Sequence, residues 1–570
     1  MKRKSVAAIM LAAAMAVSLA GCGGNASSST TSSASGNGNS VQTENAGQTT
    51  AGEQSKSEER TAALEPVDKV VIGLTASSFD VSPFGSGSIP RHWIVQNLYA
   101  VLFSTPYYGA PLEELEPWMA KGVEKIDDVT YAVELNDYIL DSKGNAITSE
   151  DVVFSFDHMY TEGQNIKIGT YLDHIEIVDD YNMIFHLKKS GPGVIEYLMG
   201  DYTLAICDKS WFESASDDEK RRDPATTGAY KVASYTPGAE IILEANEDYW
   251  QTNDSLRNKG DIQNVKRIEY KVITEASMRS IALENHEIDA TIVDAGEVKR
   301  FYDGTKPLDG WNVRITGGVY CYAMFANMDS GKSVLSDDLN LRNAVMYALD
   351  SESILYGGNY DETTGEVCYS LGTSVMSGYQ ESWKDDNYFT YDPEKAKEYY
   401  KASGHADGEV KLRLLSRTSI PDGVHSVIIA NLEAAGFKVE LLSYDQALFN
   451  TYKFDSTQWD IMLDNKGSGG HIAAGWDMMF NPDGYKNGSC CFTHDDKLVE
   501  LLTAASTTGT AESIQAYHEY LQEIACVKGL YTINNLIVGQ DGILNLEING
   551  NMMPRVNAFV FAEDYKSVAE

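Results

Sequence analysis

The stretch 459–480 carries side chains that suit the binding of a small polar solute. It reads WDIMLDNKGSGGHIAAGWDMMF and combines two carboxylates, an amide, an imidazole and an indole around a glycine-rich loop at 467–470. Carboxylates and amides hydrogen-bond polar groups, an indole stacks on ligand rings, and a glycine-rich loop leaves room and free backbone N–H groups. The ligand-contacting residues predicted in this stretch are Asp464, Asn465, His471, Trp476 and Asp477. The two aspartates fit equally well as ordinary loop or helix-cap residues.

Three aromatic residues elsewhere in the chain are further candidates for the binding site. Tyr320 and Tyr322 lie two residues apart in the apolar run VYCYAMFAN, so in a strand both rings would share one face. Trp93 lies in PRHWIVQN, at the opening of a run with helical spacing. Ligand pockets combine aromatic walls with a few polar groups, and all three rings suit that role. A position in a packed core would explain each of them about as well.

The sequence lacks the motifs that common enzymatic reactions require. Gly331-Lys332-Ser333 resembles the end of a phosphate-binding loop, but the first glycine of that loop would have to stand at Ala326. Neither a Gly-x-Ser-x-Gly elbow nor a Gly-x-Gly-x-x-Gly fingerprint occurs. Carboxylates are so common that a glycosidase-like pair stays open as an alternative. We therefore expect a binding protein and not an enzyme.

Metal and cofactor chemistry is not predicted either. The ten histidines are scattered, and neither His-Glu-x-x-His nor Cys-x-x-Cys spacing occurs. Cys490 and Cys491 are adjacent, which suits neither an ordinary disulfide nor two ligands of one tetrahedral site. These two and the other cysteines of the body are expected to be mostly buried thiols, with a disulfide of Cys321 left open in an oxidising compartment.

The elements that must position these residues belong to a large, acidic chain. The 570 residues are 43% hydrophobic, which predicts about three to five structural units with ample core. With 83 Asp and Glu against 45 Lys and Arg, the formal net charge is −38. Binding to nucleic-acid phosphates needs clustered Lys and Arg, so this excess of carboxylates argues against a nucleic-acid partner.

The N-terminus predicts export and a lipid anchor. A basic start, MKRK, precedes an apolar run at 6–20 that is too short to span a bilayer, which is typical of a signal peptide. The run ends in Leu19-Ala20-Gly21-Cys22, which resembles the bacterial lipobox. We predict a signal peptide at 1–21 and lipidation of Cys22. A plain secretory peptide with a chance cysteine is the alternative.

A polar tether is predicted to follow the lipidated cysteine, over 22–63. Its first part reads GNASSSTTSSASGNGNS, and 24–60 contains no aromatic residue and only Val41 among the branched aliphatics. Such a segment buries too little apolar surface to offset the entropy of ordering. As a flexible coil it would hold the folded body on the order of 30 Å from a membrane.

From Leu64 onward, short strand-like runs alternate with helical ones. Strands are predicted at 69–74, 131–135, 182–187, 240–244, 266–273 and 411–415 from buried or alternating apolar runs. Helices are predicted at 93–102, 341–349, 393–402, 426–435 and 512–525. Thr148, with Asp151 three residues on, resembles a capping box and predicts a helix start. The mixed order indicates an α/β chain with domains built from discontinuous segments.

Six blocks in order along the chain resemble family 5 of the ABC-importer solute-binding proteins, the peptide, oligopeptide and nickel binding group. They are DSKGNAITSEDVVFSF (141–156), IEIVDDYNMIFHLKK (175–189), TTGAYKVASYTPGAEIILEANEDYW (226–250), ALENHEIDA (282–290), LSDDLNLRNAVMYALDSESI (335–354) and YDPEKAKEYYKASG (391–404). The resemblance that they carry is taken to extend over nearly the whole chain after the tether. The lipobox and tether agree with a receptor of the Gram-positive type.

The resemblance implies a two-lobed, type II periplasmic-binding-protein-like α/β fold that closes over its ligand by a hinge. On this basis 64–108, 226–314 and 540–570 are assigned to lobe I. The range 109–225 is assigned to an inserted subdomain, and 315–539 to lobe II. In the relatives, the strand that would correspond to the run around Tyr320 and Tyr322 presents aromatic side chains to the ligand.

One departure from the family pattern bears on the ligand. Peptide receptors of the family carry an aspartate that pairs with the ligand ammonium near an Asp-Pro-Asp-like loop. Aligning Trp459-Asp460 with the family's strand places 467–470, which has no carboxylate and no proline, at that loop. The usual ammonium anchor is therefore expected to be absent, and Asp464 or Asp477 would have to replace it.

The predicted function is a membrane-anchored receptor that delivers a peptide or oligopeptide to an ABC permease and its ATPase, most simply as a monomer. An oligosaccharide receptor of the same fold is the first alternative, favoured by the missing aspartate and the 33 tyrosines. A sensor or pheromone receptor without a transport role is the second alternative. A hydrolase is the third. Transport predicts permease and ATPase partners, and a hydrolase predicts turnover.

Overall fold

A computed structural model of the chain describes residues 60–75, 81–84, 89–162, 165–385, 389–467, 469–482, 490–493 and 495–567. All of these belong to one unit, 52–570. The predicted signal peptide, Cys22 and the tether up to residue 59 lie outside the described residues. The last four residues assigned to the tether, 60–63, are part of the folded body, because Ala62 forms a β-bridge with Ala562 and Arg60 pairs with Asp564 at 2.8 Å.

The strands follow the predicted alternation. In chain order they are β1 (Val67–Leu74), β2 (Phe103–Ser104), β3 (Glu116–Pro117), β4 (Ala120–Asp127), β5 (Thr130–Leu135), β6 (Leu172–Ile177), β7 (Asn182–Leu187), β8 (Tyr230–Thr236), β9 (Glu240–Ala245), β10 (Val265–Val272), β11 (Ala290–Val293), β12 (Trp311–Thr316), β13 (Cys321–Ala326), β14 (Gly365–Val367), β15 (Lys411–Arg417), β16 (Lys438–Tyr444), β17 (Ile461–Lys466), β18 (Val527–Ile533), β19 (Asn535–Gln540), β20 (Ile543–Asn545) and β21 (Val560–Phe561).

The α-helices are short to medium in length. In chain order they are α1 (Ile89–Leu98), α2 (Ser149–Thr161), α3 (Ile166–Tyr171), α4 (Val194–Gly200), α5 (Lys209–Ser214), α6 (Asp217–Arg222), α7 (Ala276–Glu284), α8 (Leu339–Ala348), α9 (Ser351–Gly357), α10 (Pro393–Ala402), α11 (Asp422–Ala434), α12 (Gln446–Tyr452), α13 (Ile472–Phe480), α14 (Asp496–Thr508) and α15 (Ala511–Glu523). The predicted helix at 93–102 starts earlier and ends at Leu98.

Two mixed sheets form the two lobes. The seven-stranded sheet has the order β12-β19-β11-β1-β10-β9-β8, with β1 parallel to both β10 and β11. We call this sheet and its helices lobe I. The six-stranded sheet has the order β14-β18-β13-β17-β15-β16, with β15 parallel to β16 and to β17. We call it and its helices lobe II.

A separate antiparallel sheet, β4-β5-β7-β6, lies between the first and second parts of lobe I in the sequence, and we call this subdomain the insertion. Its helix α2 starts where the capping box predicts. The backbone N–H and the hydroxyl of Thr148 both donate to Oδ2 of Asp151, at 2.7 and 3.0 Å. These bonds satisfy groups that a helix start would otherwise leave unpaired.

The chain crosses between the lobes at 317–320 and at Asn534. The strand β12 still pairs in lobe I, whereas β13 pairs in lobe II. On the return, β18 pairs in lobe II and β19 pairs in lobe I. The second crossing therefore lies at residue 534, and not at residue 539, where the predicted lobe II ends. The two crossings are packed together, since a Cβ on Gly318 would lie 2.5 Å from the carbonyl oxygen of Ile533.

Within the described ranges, no helix combines the length and the apolar character that crossing a membrane would need.

Lys528 joins the sheet of lobe II to the end of α8. It is 7% exposed, and its ammonium donates to the carbonyl oxygens of Leu349 and Met346, at 2.6 and 3.1 Å. These carbonyls lie at the C-terminal end of the helix, where a positive charge is favourable. Burial nevertheless lowers the pKa of Lys528 to about 7. Above pH 7 the folded protein therefore holds this side chain mostly uncharged, whereas the unfolded chain keeps it charged.

Lys528→Met should remove a pH-dependent part of the stability. Between pH 7 and 10.5 the unfolded chain keeps the lysine proton and the folded protein has lost it, so the free energy of unfolding rises with pH. At about 1.4 kcal/mol per pH unit, the rise from pH 7.5 to 9.5 is roughly 2–3 kcal/mol. Urea unfolding measures it, with Lys411→Met, at an exposed site of the same sheet, as the control. An undiminished rise in Lys528→Met would contradict this account.

Candidate ligand-binding site

A cavity of about 160 Å³ lies where lobe II meets the insertion. Its walls come from the loop before β3, from α4, and from the loop that leads into α13. The side chains in its wall that can stack on or hydrogen-bond a solute include those of Tyr108, Glu196, Tyr197, Asp201, Ser377 and His471. Because lobe II contributes one wall and the insertion another, a solute in this cavity would contact both.

The insertion and lobe II approach each other through residues without side chains. A Cβ built on Gly109 would lie 2.6 Å from the carbonyl oxygen of Gly470, and one built on Gly193 would lie 2.8 Å from Cβ of His471. Side chains do not pack at such distances, so glycine is required at both positions while the lobes are in contact. The structure therefore shows the lobes in a closed arrangement.

The glycine-rich loop takes part in this contact. Gly469 and Gly470 have φ of +69° and +106°, the left-handed region that favours glycine. The carbonyl oxygen of Gly470 accepts from the backbone N–H of Ser377 at 2.9 Å, and Ile472 donates to the carbonyl of Ser377 at 2.9 Å. Ser468 lies outside the described residues. The described part of the loop thus lines the cavity, and its Gly470 contacts the insertion.

His471 lines the cavity at the start of α13. It is the N-cap residue, and its Nδ1 accepts a hydrogen bond from the backbone N–H of Ala473 at 3.3 Å. It is 7% exposed, and burial lowers its pKa to about 4. At neutral pH the imidazole is therefore uncharged, with Nε2 left to donate towards a solute.

Two carboxylates from α4 and its C-cap also line the cavity. Asp201 accepts from the backbone N–H of Thr203 at 2.9 Å through Oδ1, and among the described residues its Oδ2 has no hydrogen-bond partner. Glu196 has a buried Oε2 without a partner in the described part of the chain, and burial raises its pKa. One carboxylate oxygen of Asp201 is therefore left without a hydrogen bond, although the Lys167 ammonium is near enough to interact with its charge.

The two predicted tyrosines lie at and beside the crossing between the lobes. Tyr320 is 43% exposed and falls in the crossing segment, before β13 begins, with its ring against Gly467. Burial and the charge of Asp201 raise the pKa of Tyr320. Tyr322 stacks on Tyr531, with ring centroids 4.6 Å apart and planes 4° from parallel. Tyr320 thus lies within electrostatic reach of the cavity carboxylate, while Tyr322 stands deeper in lobe II.

A cluster of cations stands at the carboxyl ends of the parallel strands of lobe II. Asp464 pairs with Lys466 at 2.6 Å and with Arg417 at 3.3 Å, and Lys453 adds a third positive charge. Burial alone would raise the pKa of Asp464, but these three cations together lower it. One carboxylate facing three cations leaves a surplus of positive charge. In α/β sheets, this edge is where ligands bind.

The predicted residues Asp464 and Asn465 therefore belong to the cation cluster and not to the cavity wall. Asp464 is 3% exposed, and Asn465 accepts from Nη2 of Arg417 at 2.7 Å. Asp477, 4% exposed, pairs with Lys189 of the insertion and also accepts from Asn481 at 2.9 Å. It links the two lobes instead of offering a free carboxylate.

The two predicted tryptophans are packed inside the lobes. Trp476 is fully buried, its indole N–H donates to the carbonyl oxygen of Leu371 at 2.6 Å, and its ring lies 5.0 Å from that of Tyr517. Trp93 is 4% exposed within the core of lobe I. Neither is among the residues that line the cavity in this closed arrangement.

Asp201, Glu196 and Arg417 were not singled out from the sequence. Asp201 and Glu196 lie in a segment whose apolar spacing indicates only an ordinary helix, and their place opposite lobe II depends on tertiary contacts. Arg417 carried a usable signal, because it closely follows the strand predicted at 411–415, and binding residues concentrate after the carboxyl ends of strands in α/β sheets.

The described residues hold no group of three or more His, Cys, Asp or Glu side chains that could bind a metal ion. The six cysteines of the body are free thiols, all buried except the half-buried Cys490. Burial raises the pKa of Cys490 and, well above its usual value, that of Cys491. These thiols are therefore protonated at neutral pH.

Two lobes on separate sheets, joined by two chain crossings and closing on a cavity, define a type II periplasmic-binding-protein-like solute receptor. The model of bacterial extracellular solute-binding proteins, family 5 Middle, matches residues 114–524, and the chain belongs to this family. The resemblance inferred from the six sequence blocks is confirmed. The family consists of extracytoplasmic solute-binding proteins and not of enzymes.

Curated relatives are distant and match in part. The oligopeptide-binding protein AppA of Bacillus subtilis is 23% identical over 304 residues, which cover 51% of each chain. The dipeptide-binding protein of Escherichia coli is 22% identical over 350 residues, 57% of this chain and 61% of that protein. The first curated matches span between 29% and 64% of the relatives' own length.

Solved structures share the fold over nearly their whole length. The substrate-binding protein CtaP of Listeria monocytogenes superposes with a TM-score of 0.72 at 19% identity, covering 88% of this chain and 100% of that one. DppA of Helicobacter pylori, in complex with the peptide STSA, gives 0.71 at 18% identity, covering 88% and 99%. At such identity the likeness establishes the fold.

Gly109→Ala should open the contact between the insertion and lobe II. Its φ of +78° is costly for alanine, and the new methyl would strike Gly470 and Ser377. Gly144→Ala is the matched control, because Gly144 has φ +88° but nothing within 4 Å of its Cβ position. Hydrogen exchange over 469–477 should be faster in Gly109→Ala and unchanged in Gly144→Ala. Equal exchange in both variants would mean that the contact does not hold the lobes together.

Proposed function

We propose that the protein captures a peptide or oligopeptide between its two lobes and delivers it to an ABC permease and ATPase. The observation that carries the proposal is the cavity between the lobes, whose walls come from both sides of the hinge. A solute that contacts both walls stabilises the closed state over the open one, which is the basis of capture by population shift. Family membership supports the same role.

A peptide fits the charges around the cavity. Its ammonium needs a carboxylate, and Asp201 has a free oxygen there, on the insertion side, in place of the carboxylate that the 467–470 loop lacks. Its carboxylate needs a cation, and we assign this role to the Arg417 cluster of lobe II, which lies outside the cavity wall. Tyr108, Tyr197 and Tyr320 provide rings for side chains.

In this proposal, Trp93 and Trp476 do not contact the solute. They are packed inside the lobes and support the cavity walls. Tyr320 is the one predicted aromatic residue that we keep as a direct ligand contact. An oligosaccharide would use the same tyrosines but would leave Asp201 and the cation cluster without charged partners. The charges therefore favour the peptide over the sugar.

The protein is further proposed to be a monomeric lipoprotein, anchored through a diacylglycerol-modified Cys22 and its tether. The lipobox-like sequence supports this. A diacylglycerol group brings two acyl chains, which is enough for stable anchoring. Cys22→Ala should release the protein from the membrane fraction of the producing cells into the soluble fraction. Retention of Cys22→Ala in the membrane fraction would contradict the anchor.

Asp201→Asn should weaken peptide binding selectively. Losing a charge-assisted hydrogen bond costs about 1.5–3 kcal/mol, so the Kd of tri-alanine should rise at least tenfold. The Kd of N-acetyl-tri-alanine, which has no ammonium, should be weak for wild type and unchanged by the substitution. Asp218→Asn, an exposed site on α6, is the control. Calorimetry measures the six affinities of the three proteins for the two peptides.

If Asp201→Asn bound tri-alanine as tightly as wild type, Asp201 would not be the ammonium anchor. If wild type bound neither peptide, a short-peptide ligand would be excluded.

A further inference from the structure

Four of the cysteines in the folded body meet in two pairs inside lobe II. The pairs are Cys321 with Cys368 and Cys491 with Cys526, and all four residues are buried. In each pair the two thiols are within hydrogen-bonding reach of each other. The members of a pair lie far apart in the sequence, so only the folded lobe brings them together.

The first pair meets because a glycine lets one segment cross a strand of the sheet. Cys321 begins β13 and Cys368 directly follows β14, and these strands pair with opposite edges of β18. A Cβ added to Gly529 of β18 would lie 2.1 Å from the carbonyl oxygen of Ser370 and 3.3 Å from Sγ of Cys321. Sγ of Cys321 donates to the same carbonyl oxygen at 3.5 Å. The missing side chain of Gly529 therefore leaves the space in which 368–370 approaches Cys321.

The second pair lies beside the other end of β13. Cys526 directly precedes β18, and its carbonyl oxygen accepts from the backbone N–H of Ala326 at 2.9 Å. The carbonyl oxygen of Cys491 accepts from the backbone N–H of Met328 at 2.8 Å. Sγ of Cys491 donates to the carbonyl oxygen of Cys526 at 3.3 Å. Main-chain hydrogen bonds to the end of β13 thus hold both cysteines in place.

The two other cysteines of the body have different neighbours. The thiol of Cys207 hydrogen-bonds to Ser155, and the thiol of Cys490 hydrogen-bonds to Lys466. Burial and these contacts account for both without a cysteine partner. They serve below as controls for the pairs.

The paired thiols are unsuited to chemistry in the folded state. Burial, helped by the contact with the partner thiol, raises the pKa of Cys368 and that of Cys491 well above the usual value. A buried, protonated thiol is a poor nucleophile and a poor metal ligand. Two such thiols in contact can still be joined by a disulfide, provided that they react before the lobe buries them.

We propose that Cys321–Cys368 and Cys491–Cys526 are disulfide bonds in the exported protein, formed while lobe II folds. In each pair two S–H bonds break and one S–S bond forms. The two protons and two electrons pass to an external disulfide oxidant, which is reduced to two thiols. The family is extracytoplasmic, and disulfides persist in such compartments. The inference does not depend on which solute the protein binds.

The first bond would also brace the site. Cys321 directly follows Tyr320 in the crossing between the lobes. Three residues after Cys368, the carbonyl oxygen of Leu371 accepts from the indole N–H of Trp476 in α13 at 2.6 Å. The bond would therefore tie the crossing to the segment that supports α13. By closing the long loop 321–368, it would also restrict the unfolded chain and so stabilise the folded one.

The redox state of the pairs can be fixed in the producing cells. N-ethylmaleimide is added before lysis and again under denaturing conditions, and the protein is digested without reduction. Mass spectrometry should find peptides that link residue 321 to 368 and residue 491 to 526, each lighter by two hydrogen atoms than the sum of its reduced parts. Cys207 and Cys490 should carry the maleimide.

Maleimide on all four paired cysteines would overturn the proposal. A linked peptide for one pair, with maleimide on both members of the other, would support the first bond and overturn the second. A bond that joins Cys490 to Cys526 would overturn the assignment of the second pair.

A thermal measurement tests what the bonds do. Wild type refolded with oxidised glutathione should unfold at least about 2 °C above wild type refolded in dithiothreitol. The difference should disappear when Cys321→Ala and Cys526→Ala are combined, and Cys207→Ala should retain it. A difference that persists in the combined variant would assign it to other thiols and overturn the proposal. Equal midpoints in both buffers for wild type would overturn the stabilising role of the bonds.

Discussion

The close approach of the insertion to lobe II is the constraint on which the site depends. Gly109 and Gly193 bring one wall of the cavity against Gly470 and His471 of the other, at distances that a side chain would forbid. This contact buries His471 and keeps its imidazole neutral, and it sets α4, with Asp201, opposite the loop that leads into α13. From the sequence, the glycines of the 467–470 loop were expected to leave room for a ligand. In the structure, Gly470 of this loop instead brings the two walls into contact.

The chain carries a large net negative charge, but positive charges predominate at the charged sites inside its lobes. The chain as a whole carries a net charge of −38, yet Arg417, Lys453 and Lys466 meet a single aspartate in lobe II, and Arg555 is buried in lobe I. Net charge governs solubility and steering, whereas buried groups decide what is bound. The cations of lobe II and the Asp201 oxygen without a hydrogen bond suit the two charged ends of the proposed peptide.

The fold was largely accessible from the sequence because it follows from local patterns. The alternating run at 182–187 became β7 because alternation reports one buried face, and the unbroken apolar run at 69–74 became β1, whose second half is buried on both faces. The Thr148 capping box became the start of α2 because it reports the hydrogen bonds that a helix start needs. The site was less accessible. Trp476 and Asp464 have the right chemistry for binding, but tertiary packing places one in a core and ties the other to cations. Asp201 acquires its role only when two distant segments meet, which no local pattern encodes.

The account is tested most directly by a thermal-shift screen of the purified protein against di- to octapeptides, oligosaccharides and nickel chelates. A solute that binds only the folded state, present at 100 times its dissociation constant, adds about 2.7 kcal/mol to the free energy of unfolding. We predict stabilisation by peptides and none by sugars or chelates. Stabilisation by oligosaccharides with no response to peptides would contradict the account.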